Sequence, residues 1–248
     1  MKVDAATLAR RYEDARDPGR RVPDPVDFAL DRDLCVSIAD WYDGAPDSWD
    51  HPESRRQYDV LKAETLRQFE AMTRAGVRVR PWLGEGQPYR DSAELRRDVA
   101  DSGVLFVYLT SDGHGTGGST PDAVSHPMVE PTDHVVDGVR FAHNDVFRAV
   151  HDFFGHVARG NPFTARGEHL AAWDHSRMYP EDCHPALLTE TLGQICWFYY
   201  GPHLRDSDGR VPLPGAPGYT PPSGRPYSPQ KTVPLPTEFV SAFFSLFP

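Results

Sequence analysis

Apolar side chains recur at spacings of three and four residues through most of the first 75 positions, which is the pattern of amphipathic helices. This pattern predicts helices over residues 3–16 and about 24–42. A longer helix is predicted from Glu53 to Ala75, where Gly76 ends the periodicity. We therefore expect the first part of the chain to be helical.

Two candidate strands follow, with a helix between them. Residues 77–82 (VRVRPW) alternate between apolar and polar side chains, and VLFVYLT after Gly103 is a continuous apolar run. Asp91 and Glu94 form a capping-box pattern that opens a helix ending near Asp101. These elements predict a small sheet flanked by helices.

Helical periodicity returns in the second half, after a long predicted loop. Residues 111–139 are interpreted as a loop. Its glycine-rich segment SDGHGTGG could hold a phosphate but fits neither the Walker nor the Rossmann spacing, so a plain surface loop is favoured. Apolar positions then predict helices over about 144–158, 164–178 and 185–200. These three helices contain most of the candidate chemistry.

Proline dominates the C-terminal part of the chain. Residues 202–236 contain ten of the 24 prolines, so we expect an extended wrap over the protein there. A short apolar helix is predicted over 237–248. The complete pattern predicts a mainly α protein with a small β-sheet (α+β), forming a single catalytic domain over residues 1–248.

The composition is that of a globular protein, with 39% hydrophobic and 11% aromatic residues in a chain of 248. The net charge of −10 opposes binding to the phosphates of nucleic acids. No apolar run approaches the roughly 18 residues of a membrane span, and the charged N-terminus is unlike a signal peptide. We therefore expect a cytoplasmic protein with a small-molecule substrate and with neither a nucleic-acid nor a membrane partner.

The three cysteines lie far apart in the sequence, at Cys35, Cys183 and Cys196. They form no CxxC pair, so their spacing favours neither a disulfide framework nor a zinc–thiolate site. We therefore expect no metal chemistry from them.

Two histidines share an arc of the helix predicted over 144–158. At about 100° per residue, His151 and His156 lie about 140° apart, with Arg148, Asp152 and Gly155 between them. A glycine inside a helix costs up to about 1 kcal/mol relative to alanine, which a solvated face has no reason to accept. The arc is therefore interpreted as a metal-binding face, and an exposed polar face is the alternative.

Glu190 is the only charged residue in the apolar segment PALLTETLGQICWFYYG. A carboxylate among apolar neighbours costs several kcal/mol unless it is paired or bound to a cation. The alternative to metal binding is an ion pair with an arginine such as Arg148. Together with His151 and His156, Glu190 would complete the facial triad of non-haem iron(II) oxygenases.

At these residues the sequence resembles the aromatic amino acid hydroxylases. HDFFGH, followed by the glutamate of TETLGQICWF, is similar to the HELLGH-type motif and the TVEFG-type helix of that family. The resemblance implies a mostly helical catalytic domain with a small sheet that uses iron(II), dioxygen and a tetrahydropterin. It also implies that His151, His156 and Glu190 bind the iron, and that Asp152 replaces the acidic residue that follows the first histidine.

The resemblance covers residues 141–201, about a quarter of the chain. The TPEPD-type segment of the hydroxylases has no counterpart before His151, and no pterin-binding motif is evident. The prediction therefore comprises iron(II) and dioxygen, and it leaves a tetrahydropterin open. The combination of FRAVHDFFGH, RGEHLAAWDHS, TETLGQ and YSPQKT is also similar to bacterial and phage proteins of unassigned function.

The helix predicted over 164–178 offers further candidates. Glu168 and His175 are seven residues apart and share a face, where they could orient a ligand, transfer protons or hold a second metal. As surface residues they would need no explanation. His169 points away from them and is expected to be exposed. Arg148 is expected to anchor a substrate carboxylate, and an ion pair with Asp145 or Asp152 is the alternative.

These residues together predict a non-haem iron(II) oxygenase that oxidises a small amino-acid-like or aromatic compound in specialised metabolism. A zinc-dependent hydrolase could use the same His/His/Glu set. The residues are also compatible with a dinuclear metal oxidase and with a non-enzymatic domain that contains a buried polar network. The sequence leaves the oligomeric state open.

Overall fold

Helices make up most of the chain in the computed structural model, which describes residues 4–16, 27–46, 50–113 and 126–247. The mainly helical class predicted from the sequence is confirmed. The α-helices among the described residues are α1 (Ala5–Arg16), α2 (Arg32–Gly44), α3 (Pro52–Arg74), α4 (Ser92–Ser102), α5 (Thr110–Gly113), α6 (His143–His151), α7 (Ala165–Ser176), α8 (His184–Leu188), α9 (Gln194–Tyr200) and α10 (Thr237–Ser245).

The two predicted strands form a parallel pair, β1 (Arg78–Trp82) and β2 (Val104–Tyr108). Helix α4 connects them, as a parallel pair requires. The Asp91 carboxylate caps α4 by accepting from the backbone N–H of Glu94, as the sequence predicts. Gly103 ends α4 with a φ of 70°, a conformation that glycine adopts without steric cost.

A β-hairpin occupies part of the stretch that the sequence pattern predicts to be a loop. Strands β3 (Pro131–Val136) and β4 (Val139–Ala142) pair antiparallel through a two-residue turn. The turn residues Asp137 and Gly138 have φ values of 51° and 82°, and Asp-Gly is a favoured sequence for such turns. The loop prediction is therefore wrong after residue 130, while most of the glycine-rich stretch (114–125) lies outside the described residues.

Two π-helical segments, Asp152–Ala158 and Thr189–Gly193, interrupt the helices that were predicted to be continuous. The first continues α6, and the second connects α8 to α9. In a π-helix the hydrogen bond runs between residues i and i+5, and such segments are frequent at functional sites. Both segments contain residues that the sequence predicts to bind metal.

The buried apolar side chains form two separate clusters. The first is built around α3, α6 and the β1–β2 pair, with Phe153 and Phe154 of the first π-helical segment inside it. The second contains side chains of α2, α7, α9 and α10. None of the described helices combines the length with the apolar character that a membrane crossing requires.

The proline-rich stretch runs along the outside of the second π-helical segment. Its only helical turns among the described residues are Pro202–Leu204 and Pro222–Gly224. The Ser228 hydroxyl donates to the carbonyl of Gln194, and the Thr189 hydroxyl donates to the carbonyl of Val233. These bonds attach the extended chain to the helix that carries Glu190.

Candidate metal centre

Three potential ligand atoms converge where the first π-helical segment packs against α7. The Nε2 atoms of His151 and His156 are 3.0 Å apart. The Glu168 Oε2 atom lies 3.2 Å from the His151 Nε2 atom and 3.5 Å from the His156 Nε2 atom. The structure therefore brings together the two predicted histidine ligands and a carboxylate that was predicted to act beside them.

The π-helical backbone explains how residues five apart come to face each other. In an α-helix, His151 and His156 would point about 140° apart. A π-helical turn is wider, so residues at i and i+5 lie close to one face. The α-helical angle predicted for this pair is therefore wrong, and the observed backbone makes the pair better suited to share a ligand.

Hydrogen bonds fix the orientation of the His156 ring. Its Nδ1–H group donates to the carbonyl oxygen of Asn161 at 2.8 Å, which directs the Nε2 atom toward His151 and Glu168. The Asn161 side chain in turn donates to the Gly155 carbonyl and to the Asp174 carboxylate, both at 2.9 Å. A partner of this kind on the second ring nitrogen is typical of metal-binding histidines.

Gly155 allows α7 to approach the histidine pair closely. A Cβ atom at this position would lie 3.0 Å from the Cβ of Ala171 and 3.9 Å from the Cε1 of His151. The glycine is thus required mainly by helix packing, and this contact sets the distance from Glu168 to the histidines. The sequence associates this glycine with a metal-binding face, and in the structure it packs against α7.

Burial and charge act in opposite directions on the His156–Glu168 pair. Burial disfavours the charged His156 ring, but the Glu168 charge, the contact with Glu168 and the nearby Asp152 together raise its pKa to about 9. Burial also opposes ionisation of Glu168, yet the contacts with His156 and His151 hold its pKa below the usual range. Without a metal, the pair therefore consists of a carboxylate and an imidazolium ion.

Asp152 and His175 flank the three converging atoms. Asp152 offers a carboxylate oxygen within 4.8 Å of ligand atoms of both His151 and His156. Burial raises the pKa of Asp152, although the neighbouring histidines oppose this rise. The ring centroid of His175 lies 5.0 Å from that of His151. Both predicted residues are therefore beside the histidine pair.

Buried nitrogen atoms at this centre have few hydrogen-bond partners among the described residues. Nδ1 of His151 has none, and the fully buried His175 ring has a backbone contact with Val150 alone. Burial and the neighbouring histidines keep the pKa of His175 well below its ordinary value, so the ring is neutral. Buried polar groups in proteins are usually satisfied, so unpaired atoms here call for bound water or an ion.

Arg148 lines the cavity beside this centre and has no carboxylate partner within ion-pair distance among the described residues. The cavity has a volume of about 160 Å³ and is also lined by His151, Glu168 and Glu190. The Arg148 guanidinium donates to the carbonyl of Tyr108 at 2.8 Å. A second cavity of about 230 Å³ also contains Arg148, and its other lining residues include Asp152, Tyr89, Tyr108, Phe163 and Tyr227.

Glu190 lies on the wall of the first cavity, but both of its carboxylate oxygens accept hydrogen bonds from neutral side chains. Its Oε1 atom accepts from the Tyr58 hydroxyl at 2.5 Å, and its Oε2 atom accepts from the Gln194 amide at 2.8 Å. The Nε2 atom of His126 is 3.5 Å from the Oε1 atom. Burial raises the pKa of Glu190 to about 7, and the hydrogen bonds from Tyr58 and Gln194 limit this rise.

The ion pair between Arg148 and Glu190, considered from the sequence as an alternative, is not formed. The partners of Glu190 come from three separate parts of the chain and were not identified from the sequence. Gln194 carried a visible signal, since a side chain four residues further along a helix lies on the same face. Tyr58 is 132 positions away in sequence and His126 belongs to another distant segment, so no local pattern indicates them.

The separations between the converging atoms also match those expected around a divalent metal ion. Metal–imidazole and metal–carboxylate bonds are about 2.0–2.2 Å long, so neighbouring ligand atoms at right angles lie about 3 Å apart. The three observed separations of 3.0, 3.2 and 3.5 Å are close to this value. The donor set of two imidazoles and one carboxylate suits iron or zinc.

No protein family, curated protein or solved structure gives a significant match to this chain. The resemblance to the aromatic amino acid hydroxylases therefore stays a prediction from the motif alone.

Proposed function

We propose that this protein is a metalloenzyme that binds one iron(II) ion through His151, His156 and Glu168 and oxidises a small organic substrate with dioxygen. The observation that carries the proposal is the convergence of two imidazole nitrogens and one carboxylate oxygen within 3.5 Å of one another. Iron held by two histidines and one carboxylate keeps positions open for substrate and dioxygen, and it supplies the oxidising chemistry.

Glu168 replaces Glu190 as the third ligand in this proposal. The Glu168 carboxylate faces the two ring nitrogens, and it is already ionised because their charge lowers its pKa. The Glu190 carboxylate is instead satisfied by Tyr58 and Gln194. A ligand has to be deprotonated and available, and Glu168 meets both conditions better.

Glu190 would act as a general acid or base at the cavity wall. Its pKa of about 7 allows it to be either protonated or ionised near neutral pH, which is the requirement for a general acid or base. It lines the same cavity as His151 and Glu168. A proton released or taken up by a bound substrate could therefore be exchanged with Glu190.

Arg148 is assigned the binding of a substrate anion. Its guanidinium lines both cavities and is held in place by its hydrogen bond to the Tyr108 carbonyl. A guanidinium binds a carboxylate through two parallel hydrogen bonds. The tyrosine-rich second cavity is suited to an aromatic side chain, so an aromatic amino acid or a similar acid is the proposed substrate class. Asp152 and His175 keep their predicted function of positioning His151 and His156.

The proposal is tested on full-length protein reconstituted anaerobically with iron(II) and then exposed to nitric oxide, which occupies an open position on iron and gives a characteristic EPR signal. We expect wild-type protein to give the signal and His156→Ala protein to lose it. His51→Ala, which removes an exposed histidine at the start of α3, is the control and should retain it. Absence of the iron–nitrosyl signal, together with stoichiometric zinc that is lost in His156→Ala, would contradict the proposal and favour a zinc hydrolase.

The dinuclear alternative is separated by metal counting. In a dinuclear site, two ions would share ligands such as His151 and Glu168, with His175 as a further ligand, so His151→Ala or Glu168→Ala would lose both ions. If each of these variants loses one ion, the mononuclear site is supported.

A further inference from the structure

A second set of potential metal ligands is buried against a neighbouring face of α7, about 100° around the helix from Glu168. The Sγ atom of Cys35 in α2 lies 3.3 Å from Nε2 of His169, and the Sγ atom of Cys196 in α9 lies 3.9 Å from the same nitrogen. The three ligand atoms all lie within 4.8 Å of one another. His169 is only 1% exposed, so its predicted exposure is wrong.

The tautomer of His169 favours a ligand on its Nε2 atom. The Nδ1–H group donates to the carbonyl of Ala165 at 2.7 Å, so the Nε2 lone pair of the neutral ring points toward the two sulfur atoms. A hydrogen bond also joins the Cys35 and Cys196 side chains, so the three groups form one connected cluster. A metal ion would replace these hydrogen bonds, with the lone pair and both sulfurs as its ligands.

The distances agree with metal coordination. With bonds of about 2.3 Å to sulfur and about 2.0 Å to nitrogen, tetrahedral to trigonal angles set each sulfur about 3.5–3.8 Å from the nitrogen. The observed separations of 3.3 and 3.9 Å bracket this range. Two thiolates and a neutral imidazole also neutralise a divalent ion, which lowers the cost of burying the charge.

The surroundings argue against a catalytic use of these cysteines. All three side chains are at most 1% exposed, and rings of Phe28 and Phe243 lie within 6.5 Å of the His169 ring. These side chains line neither of the two cavities that contain Arg148. A nucleophile without access to substrate has no reaction to perform, whereas a structural metal needs no access once the protein has folded.

We propose that Cys35, His169 and Cys196 form a second, structural metal site for one thiophilic ion, zinc(II) or copper(I). The ion would join α2, α7 and α9 and thereby fix the position of α7, which also carries Glu168. Soft thiolate ligands select these two metals over iron(II), magnesium or calcium. The site does not depend on the function proposed for the cavity.

The test uses full-length protein purified anaerobically and freed of metal with a chelator. Cobalt(II), as a substitute for zinc, is added to one sample, and copper(I) is added to another. We expect a thiolate-to-metal charge-transfer band in the near ultraviolet, since the nitrogen and oxygen ligands of the cavity give none. Zinc should displace cobalt from the site, and failure of cobalt together with success of copper would identify the copper form.

Three single variants give the comparison. Cys35→Ala and Cys196→Ala should lose the band, whereas Cys183→Ala should keep it, because the Cys183 thiol is equally buried but donates to the carbonyl of Pro180. Absence of a band with both metals in folded wild-type protein would overturn the proposal. So would a band that persists in both ligand variants, or a disulfide between Cys35 and Cys196 in protein that binds neither metal.

A measurement on wild-type protein covers the case in which a variant does not fold. Alkylation of the three cysteines is followed by mass spectrometry with and without zinc. Zinc should slow the alkylation of Cys35 and Cys196 more than that of Cys183. Equal slowing of all three, or no slowing, would overturn the second site.

Discussion

The two π-helical segments present opposite solutions to the burial of charged groups. At the first, His156 and the preceding His151 of α6 face Glu168, and Nδ1 of His151 has no hydrogen-bond partner among the described residues. In the second, both oxygens of Glu190 accept hydrogen bonds from neutral side chains. The same π-helical distortion therefore accompanies a cluster with few hydrogen-bond partners in one case and a fully hydrogen-bonded carboxylate in the other.

This difference teaches what a buried carboxylate does and does not indicate. Burial alone suggested that Glu190 needs a cation, yet Tyr58 and Gln194 satisfy it, and a raised pKa allows it to be neutral. The stronger indication of a metal is a set of electron-pair donors that face one another. By that criterion the histidine segment is the better candidate for the metal centre, and the glutamate segment lines the cavity beside it.

The largest expected effect distinguishes the two carboxylates as ligands. Glu168→Ala should weaken iron(II) binding by about 100-fold or more, since loss of a ligand exceeds the roughly 10- to 100-fold typical of groups that only orient one. Glu190→Ala should weaken binding by less than about tenfold. Anaerobic equilibrium dialysis measures both, and the reverse order would make Glu190 the ligand, as the sequence predicts.

The second expected effect is a pH dependence of stability with opposite signs in the two segments. The raised pKa of Glu190 means that its contribution to folding is present below about pH 4.5 and is lost as the pH rises through about 7. In metal-free protein, the unfolding free energy of Glu190→Gln minus that of wild type should therefore rise by about 2 kcal/mol between about pH 5 and about pH 8.

Glu168→Gln should show the opposite behaviour. Because the Glu168 pKa is lowered, its ionised form stabilises the fold above its ordinary pKa, and this stabilisation is lost as the pH falls. The variant should be less stable than wild type at neutral pH. Urea unfolding at several pH values measures both variants, and shifts of equal sign would contradict the assigned charge states.

The third expected effect concerns the glycine in each segment. A Cβ atom at Gly193 would lie 2.7 Å from Cδ2 of Tyr42, whose hydroxyl is held by the carbonyl of Pro229. Overpacking costs about 1–3 kcal/mol, and the helix propensity of alanine returns up to about 1 kcal/mol. Gly193→Ala should thus lose about 1–2 kcal/mol, and Gly155→Ala should lose less because only a methyl group opposes it. Urea unfolding that ranks Gly155→Ala as the more damaging would contradict this packing argument.

The smallest expected effect is removal of one donor to Glu190. Tyr58→Phe should cost about 1 kcal/mol of unfolding free energy at about pH 8, where Glu190 is ionised and needs the hydroxyl. Under mildly acidic conditions the cost should be smaller, because the protonated carboxyl group is less dependent on a donor. Iron(II) affinity should stay unchanged, and a large loss would place Glu190 at the metal.

Much of the local structure is encoded in the sequence by itself. The spacing of apolar residues predicts the helices and the strands β1 and β2, since neighbours along the chain decide these periodicities. The hairpin of β3 and β4 was missed although Asp137 and Gly138 carried its signal. The residues with metal-binding chemistry, His151 and His156 among them, are also visible from their types and spacing.

The tertiary structure alone decides how these residues are combined. The π-helical turn that brings His151 and His156 together was not predicted from the sequence, and Gly155 within it packs against Ala171 of another helix. Tyr58, which satisfies Glu190, is 132 positions away from it in sequence.

The Cys35–His169–Cys196 cluster is a second case of this kind, because Cys35 is 134 positions from His169. Periodicity is a property of adjacent residues and can be recognised in the sequence. The partner of a buried charge or thiol is fixed only when distant helices pack together. This is why the sequence indicated suitable residue types for the proposed site but pointed to Glu190, whereas the folded chain brings Glu168 to the histidines.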